Sequence, residues 1–148
     1  MRIRLCSACL LGIPCTLNGT NNKNDKVLKL SKQEILIPVC PEQLGGLPTP
    51  REASELTDTG ENVINGRAKV VSKSGKDVTE NFIIGAQNTL EIAKLYGIKE
   101  AILKQRSPSC GCGTIYDGTF TRNKRSGNGI TSALLKQNGF SVMSEEDI

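Results

Sequence analysis

The stretch Glu100-Ala101-Ile102-Leu103-Lys104-Gln105-Arg106-Ser107-Pro108-Ser109-Cys110-Gly111-Cys112-Gly113 joins two kinds of sequence. It opens with a short apolar run of the length and character of a buried strand, and its second half admits neither helix nor strand. Pro108 fixes its own φ and has no N–H, the glycines accept backbone angles that other residues avoid, and two serines set short hydroxyls beside sulfur. The whole reads as a strand that delivers a thiol-bearing loop.

The same arrangement recurs twice upstream. Ile3 to Ala8 reads as a first buried strand that ends at Cys9-Leu10-Leu11-Gly12-Ile13-Pro14-Cys15, and Glu34-Ile35-Leu36-Ile37-Pro38-Val39 as a second that runs into Cys40-Pro41-Glu42. Between them lies a polar stretch, Asn18 to Lys26, followed by a short helix around Val27-Leu28-Lys29-Leu30. The segment Gly45-Gly46-Leu47-Pro48-Thr49-Pro50-Arg51 forbids regular structure and reads as a fixed loop over a site. Asn62 to Ser72, with Gly66 between Val63-Ile64 and Val70-Val71, is expected to form a small β-hairpin outside the main sheet.

From Asp77 or Thr79 the pattern changes. Phe82, Ile83, Ala86, Leu90, Ala93 and Leu95 recur near helical spacing until Gly97, which suits the first position past a helix. Thr114 to Phe120 carries a turn at Asp117-Gly118. Gly127-Asn128-Gly129 leads into a helix through Ala133-Leu134-Leu135-Lys136 capped by Gly139, and Phe140 to Met143 reads as a last strand. This alternation predicts an α/β fold: one domain over residues 1–148, a mainly parallel sheet flanked by helices in a Rossmann-like three-layer arrangement, and a small hairpin. At 148 residues the chain can bury one proper core and is too short for two.

Such a fold gives the cysteines a position. Cys9, Cys40 and Cys110 each follow a predicted strand, and in open parallel sheets ligands gather outside the strand C-termini. Residues distant in sequence are thereby expected to become neighbours.

Composition narrows the chemistry. An aromatic content of 3% without Trp argues against a base-stacking platform, and 19 cations against 15 anions give a net charge of only +4, so no stable nucleic-acid complex is expected. A small anionic ligand is compatible with so mild an excess. The N-terminus lacks the apolar stretch of a secretory signal, and no run is long enough to span a membrane, so a cytoplasmic protein is expected. There thiols stay reduced, and clustered cysteines serve metal or catalysis more often than disulfides. The absence of His removes the usual general base and every imidazole ligand.

Cys6 falls inside a strand pattern and reads equally as a packed thiol. For the others two metal centres are open. Cys6-Ser7-Ala8-Cys9 with Cys110-Gly111-Cys112 would supply four thiolates to tetrahedral zinc, although the CxC half is short and Cys40 is left unused. Alternatively Cys9, Cys40 and Cys110 share an iron–sulfur cubane, whose remaining iron stays open as a Lewis acid.

Ser7-Ala8-Cys9-Leu10-Leu11-Gly12, Pro38-Val39-Cys40-Pro41-Glu42, the Gly45 to Arg51 loop, Asp77-Val78-Thr79, and Leu103-Lys104 with Ser107-Pro108-Ser109-Cys110-Gly111 resemble the thiouracil desulfidase family. The resemblance covers nearly the whole chain in the same motif order. It implies a 4Fe-4S cluster on three cysteine ligands, by motif Cys9, Cys40 and Cys110, with the fourth iron free for the sulfur of a thiocarbonyl substrate. The implied reaction replaces sulfur by oxygen in a small-molecule thiolated nucleobase or nucleotide, such as 2-thiouracil or a 4-thiouridine phosphate. Hydrosulfide is released without net redox change. A non-catalytic cysteine-metal module is the alternative.

On that reading Glu42, two residues after Cys40, carries the proton work in a chain without histidine. Ser107 is the candidate catalytic hydroxyl and Ser109 a donor to substrate, against the alternative that both only shape the loop. Arg51 and Lys104 are expected to contact phosphate or developing negative charge. Gly127 and Gly129, within Lys124 to Thr131, open a helix in a way that suits a phosphate or carboxylate, without the full dinucleotide or P-loop pattern. Two departures from the family stand out: Thr16-Leu17-Asn18-Gly19 replaces an Arg-Tyr-Asp-Gly tendency, and Cys112 adds a thiol past the loop motif. Cys15 and Cys112 either pack, bind sulfur transiently or supply a fourth ligand, and a fourth ligand from Cys112 would close the open iron.

Overall fold

In the computed structural model, which describes residues 1–148, the chain runs β1 (Ile3–Ser7), α1 (Asp25–Leu30), β2 (Ile35–Val39), α2 (Pro41–Leu44), β3 (Ser54–Leu56), α3 (Gly60–Ile64), β4 (Val70–Ser72), α4 (Thr79–Leu95), β5 (Glu100–Leu103), β6 (Thr114–Tyr116), β7 (Lys124–Ser126), α5 (Ile130–Gln137) and β8 (Ser141–Ser144). The main sheet has the order β2-β1-β5-β8, and every pairing in it is parallel. From β1 the chain first moves to one side and later to the other. The sheet therefore has its switch point beside β1, where the C-terminal ends of β1, β2 and β5 leave a crevice.

Alternation along the strands builds two cores. Leu5, Ala101 and Leu103 pack with Leu90 and Ala93 of α4 and Leu135 of α5 on one face, while Cys6 and Ile102 pack with Val27 of α1 on the other. This is the three-layer α/β arrangement expected from the sequence. A third cluster, including Leu56, Val63, Val70, Phe82 and Ile130, joins the small β3–β4 sheet and α3 to α4 and α5. Local signals set the ends: Asn24 accepts from the Val27 N–H at the start of α1, and Gly97 and Gly139 lie just past α4 and α5 with φ of 65° and 82°.

Two expectations are corrected. The segment from Asn62 to Ser72 is not a hairpin: Val63-Ile64 belongs to α3, whose start Thr59 caps by accepting from the Asn62 N–H, and Val70-Val71 pairs instead with β3. Two short apolar pairs around a glycine carry no decisive period, and the cap and the burial of Val63 decided for helix. The strand at 35–39 is not buried on both sides either. As β2 it lies at the sheet edge, with Ile35 43% exposed, and it reads apolar because its inner residues still pack on the core. A buried ion pair, Arg4 to Glu34 at 2.6 Å, ties β1 to the residue just before this edge.

The crossing of α2 and α4 is close enough to require glycine. A Cβ on Gly85 would meet the Pro41 carbonyl and one on Gly45 the Asn81 carbonyl, both backbone atoms that cannot swing aside. Asn81 and Asn88 of α4 add bonds of 2.9 Å to the Gly45 and Leu44 carbonyls. This contact holds α2, which follows Cys40 and carries Glu42. Gly85→Ala is expected to lower stability by about 1–3 kcal/mol, read as a fall in the urea midpoint at constant m; an unchanged midpoint would contradict the close-approach argument.

Candidate active site

A cavity of about 280 Å³ opens at the C-terminal ends of β1, β2 and β5. Cys9, Cys40 and Cys110 all line it, together with Cys15, Glu42 and Ser107. Each arrives by a different local device. Cys9 lies in a single 3-10 turn, Ala8–Leu11, that leaves β1 and ends at Gly12 with φ of 93°. Cys40 precedes α2, where Pro41 occupies the first helical position that tolerates a missing N–H. Cys110 sits in the loop after β5, whose carbonyls at Pro108, Ser109 and Gly111 accept the N–H groups of Ile130, Thr131, Ser132 and Gly129.

All six cysteines are free thiols, and the structure divides them. Cys6 is fully buried in the α1-side core, where burial pushes its thiol up to about 12, and Cys112 points its thiol at the Val142 carbonyl, 3.4 Å away. The zinc arrangement on Cys6, Cys9, Cys110 and Cys112 is therefore not formed, because two of its four thiols face other parts of the molecule. Nor do any three His, Cys, Asp or Glu side chains converge tightly enough to hold a single ion. Cys15, for which packing, transient sulfur binding and ligation were all open, lies at the site. It is buried beside Cys9 and Cys40 and lowers the pKa of each while its own is raised, and the Cys40 thiol donates to the Cys15 carbonyl at 3.7 Å. Asn22 also donates to the Cys9 sulfur at 3.4 Å. Burial raises Cys110.

A line of hydroxyls runs from the loop to Glu42. The Ser107 hydroxyl accepts from the N–H groups of Ser109 and Cys110 at 3.2 and 3.1 Å and lies 3.1 Å from the Ser109 hydroxyl, which donates to Glu42 Oε1 at 2.8 Å. Ser107 and Glu42 line the cavity, whereas Ser109 is completely buried and does not. The expected substrate contact from Ser109 is thus replaced by a contact with Glu42.

The expected cations are present but occupied. Arg51 donates to the Cys15 carbonyl at 2.9 Å and to Thr49 Oγ1 at 3.1 Å, with Glu42 Oε2 3.9 Å away. Lys104 bonds the Gln105 carbonyl at 3.0 Å and pairs with Glu145 at 3.1 Å. Both still line the cavity. Gly127 and Gly129 do not. The N–H groups at the start of α5 already serve the cysteine loop, and a Cβ on Gly129 would run into Pro108 and Ser109, so Gly129 allows the loop to seat on the helix rather than offer an anion site, and the Gly127 N–H is spent on the Gly113 carbonyl. Two further residues escaped sequence reasoning. Gln105 staples the loop by accepting from the Cys112 N–H and donating to its carbonyl, both at 2.8 Å, and Ser7 accepts from the Lys104 N–H at 2.8 Å. Ser7 stands within the Ser-Ala-Cys motif; nothing in the sequence singles out Gln105.

Residues 5–147 match the family model described as 2-thiouracil desulfurase. The chain belongs to this family. A Bacillus subtilis (strain 168) relative, the uncharacterized protein YbbK, is 49% identical over 145 residues, which cover 97% of this chain and 96% of YbbK. Among solved structures, the 4Fe-4S-dependent thiouracil desulfidase TudS is similar with a TM-score of 0.88 and 39% identity, over 100% of this chain and 93% of that one. Family membership thus extends through every segment that lines the cavity.

Thiol reactivity tests the division among the cysteines. In protein stripped of any metal, Cys9 and Cys40 are half-buried with lowered pKa values, so their thiolate fractions rise at lower pH than that of an ordinary thiol. Iodoacetamide at pH 7.5 followed by peptide mass spectrometry is expected to label these two before Cys6 and Cys110. Their labelling rates should level off below the pH at which a free cysteine does. Uniform labelling of all four would contradict the geometry.

Proposed function

We propose that the protein is a hydrolytic, non-redox desulfidase that replaces the sulfur of a thiolated pyrimidine base or nucleotide by oxygen and releases hydrosulfide. The observation that carries this reading is the meeting of Cys9, Cys40 and Cys110 in one cavity with Glu42 and Ser107. TudS, so similar over the whole chain, is described as dependent on a 4Fe-4S cluster and active on thiouracil. The donor set here fits such a group: the free thiols of Cys9, Cys40 and Cys110 reach one cavity from three separate segments, with Cys15 beside the first two, Cys112 turned away and no tight single-ion site.

Bound by Cys9, Cys40 and Cys110, a 4Fe-4S cluster would supply an iron without a protein ligand as a Lewis acid and acceptor for sulfur. The protein supplies the rest. Glu42, the carboxylate of α2 that lines the cavity, takes a proton from water as it adds to the thiocarbonyl carbon. Ser107 presents its hydroxyl to the cavity and orients that water or the substrate. Arg51 and Lys104, held by carbonyls and carboxylates, add positive charge near an anionic leaving group without needing to move. Free thiols throughout fit a reducing, cytoplasmic setting.

The decisive experiment is anaerobic reconstitution followed by incubation with thiouracils and thiouridine phosphates, monitoring oxygenated product and sulfide. Glu42→Gln is expected to keep iron and sulfide content while kcat falls by about 10²–10⁴-fold. Serine in place of Cys9, Cys40 or Cys110 should abolish a cubane spectrum, and Cys112→Ser should leave it intact. Tightly bound zinc without inorganic sulfide would overturn the proposal, and an intact cluster with no turnover on any of these compounds would favour a binding module.

A further inference from the structure

We propose that Ser109 is a positioning residue of the reaction, whose buried hydroxyl holds the Glu42 carboxylate toward the reacting water; this rests on the desulfidase reading above. The direction of the bond follows from counting donors. A hydroxyl oxygen has two lone pairs and one proton. Both lone pairs of Ser107 are taken by the N–H groups of Ser109 and Cys110, at 3.2 and 3.1 Å. Its proton must therefore point outward, to the Ser109 hydroxyl 3.1 Å away or into the cavity. Ser109 has two acceptors in reach, Glu42 Oε1 at 2.8 Å and Cys110 Sγ at 3.6 Å, and the short bond to a carboxylate wins. With its own proton on Glu42, Ser109 holds the carboxylate, and Ser107 keeps its proton for Ser109 or for a group in the cavity.

Ser109 is held in this task from both sides. Its side chain is fully buried, its N–H is spent on Ser107, and its carbonyl accepts from Thr131 and Ser132 at 2.9 and 3.1 Å. It never meets substrate. Ser107 and Glu42 both line the cavity, so the carboxylate meets the water while the hydroxyl that holds it is sealed.

In the step that results, water gives a proton directly to Glu42, which lines the cavity, as the water oxygen bonds to the thiocarbonyl carbon; Glu42 ends as a carboxylic acid, still bonded by the Ser109 hydroxyl. When the C–S bond breaks, Glu42 returns that proton to the departing sulfur, which leaves as hydrosulfide, and the second water proton passes from the new hydroxyl to solvent as the carbonyl forms. One water is consumed, a carbonyl, hydrosulfide and a proton form, and no electrons change hands.

The test compares cluster-loaded wild type, Ser109→Ala, Ser109→Thr, Glu42→Gln and the Ser109→Ala/Glu42→Gln double variant. Ser109→Ala is expected to lower kcat by about 10–100-fold with KM within about twofold, while iron content, cluster absorption and melting midpoint stay at wild-type values. Ser109→Thr, which keeps the hydroxyl, should recover most of kcat, and the double variant should be no slower than Glu42→Gln alone. A wild-type kcat for Ser109→Ala, or a double variant clearly slower than Glu42→Gln, overturns the positioning role; a loaded Ser109→Thr as slow as Glu42→Gln overturns it even if Ser109→Ala does not load the cluster. Loaded wild type that converts no thiolated pyrimidine overturns the desulfidase reading itself.

Discussion

Everything at this site hangs on the way the cysteine loop sits on the end of α5. A helix start has backbone N–H groups without partners inside the helix. Here the carbonyls of Pro108, Ser109 and Gly111 take those at Ile130, Thr131, Ser132 and Gly129. The helix gains its missing acceptors, and the loop gains a rigid backing that no hydrophobic packing could give so irregular a segment. Because the seat is made by backbone, it constrains geometry more than residue type, except at Gly129, where any side chain would collide. Cys110 and Ser107 are placed by this seat, and Gln105 and Ser7 lock its entrance.

A second contact does the same for the opposite wall. Gly45 and Gly85 let α2 lie directly on α4, which fixes Cys40 and Glu42 relative to the sheet. The bond from Ser109 to Glu42 then spans the two walls. Across this gap the cations are anchored rather than free: Arg51 on the Cys15 carbonyl, Lys104 on Glu145. An arrangement with few loose polar groups suits chemistry in which charge develops at a fixed place, since nothing has to reorient as it appears.

Much of this was legible in the sequence. Apolar runs ending in Cys9, Cys40 and before Cys110 gave away the strands, and the parallel sheet then required the three thiols to gather at one end. Helix α4 and its glycine stop were visible from spacing. The errors came where the local signal was short. Val63-Ile64 and Val70-Val71 are too brief to show a period, and the edge position of β2 depends on which strands fail to pair with it. Gly127 to Gly129 looked like an anion site because a sequence does not reveal that the N–H groups there are already taken.

What the sequence by itself determined is the chemistry available: thiols at strand ends, one carboxylate close behind a cysteine, hydroxyls beside another, and no imidazole. Only the tertiary structure decided which of these residues act together. Cys15 joined Cys9 and Cys40, Cys112 turned to the Val142 carbonyl, and Ser109 left the substrate side to bond Glu42. The physical reason is that such choices turn on directions and on competition for partners. The Cys112 thiol, three residues from Ser109, is committed by a carbonyl from β8, and the Ser109 hydroxyl by a carboxylate from α2, neither of which is near in sequence.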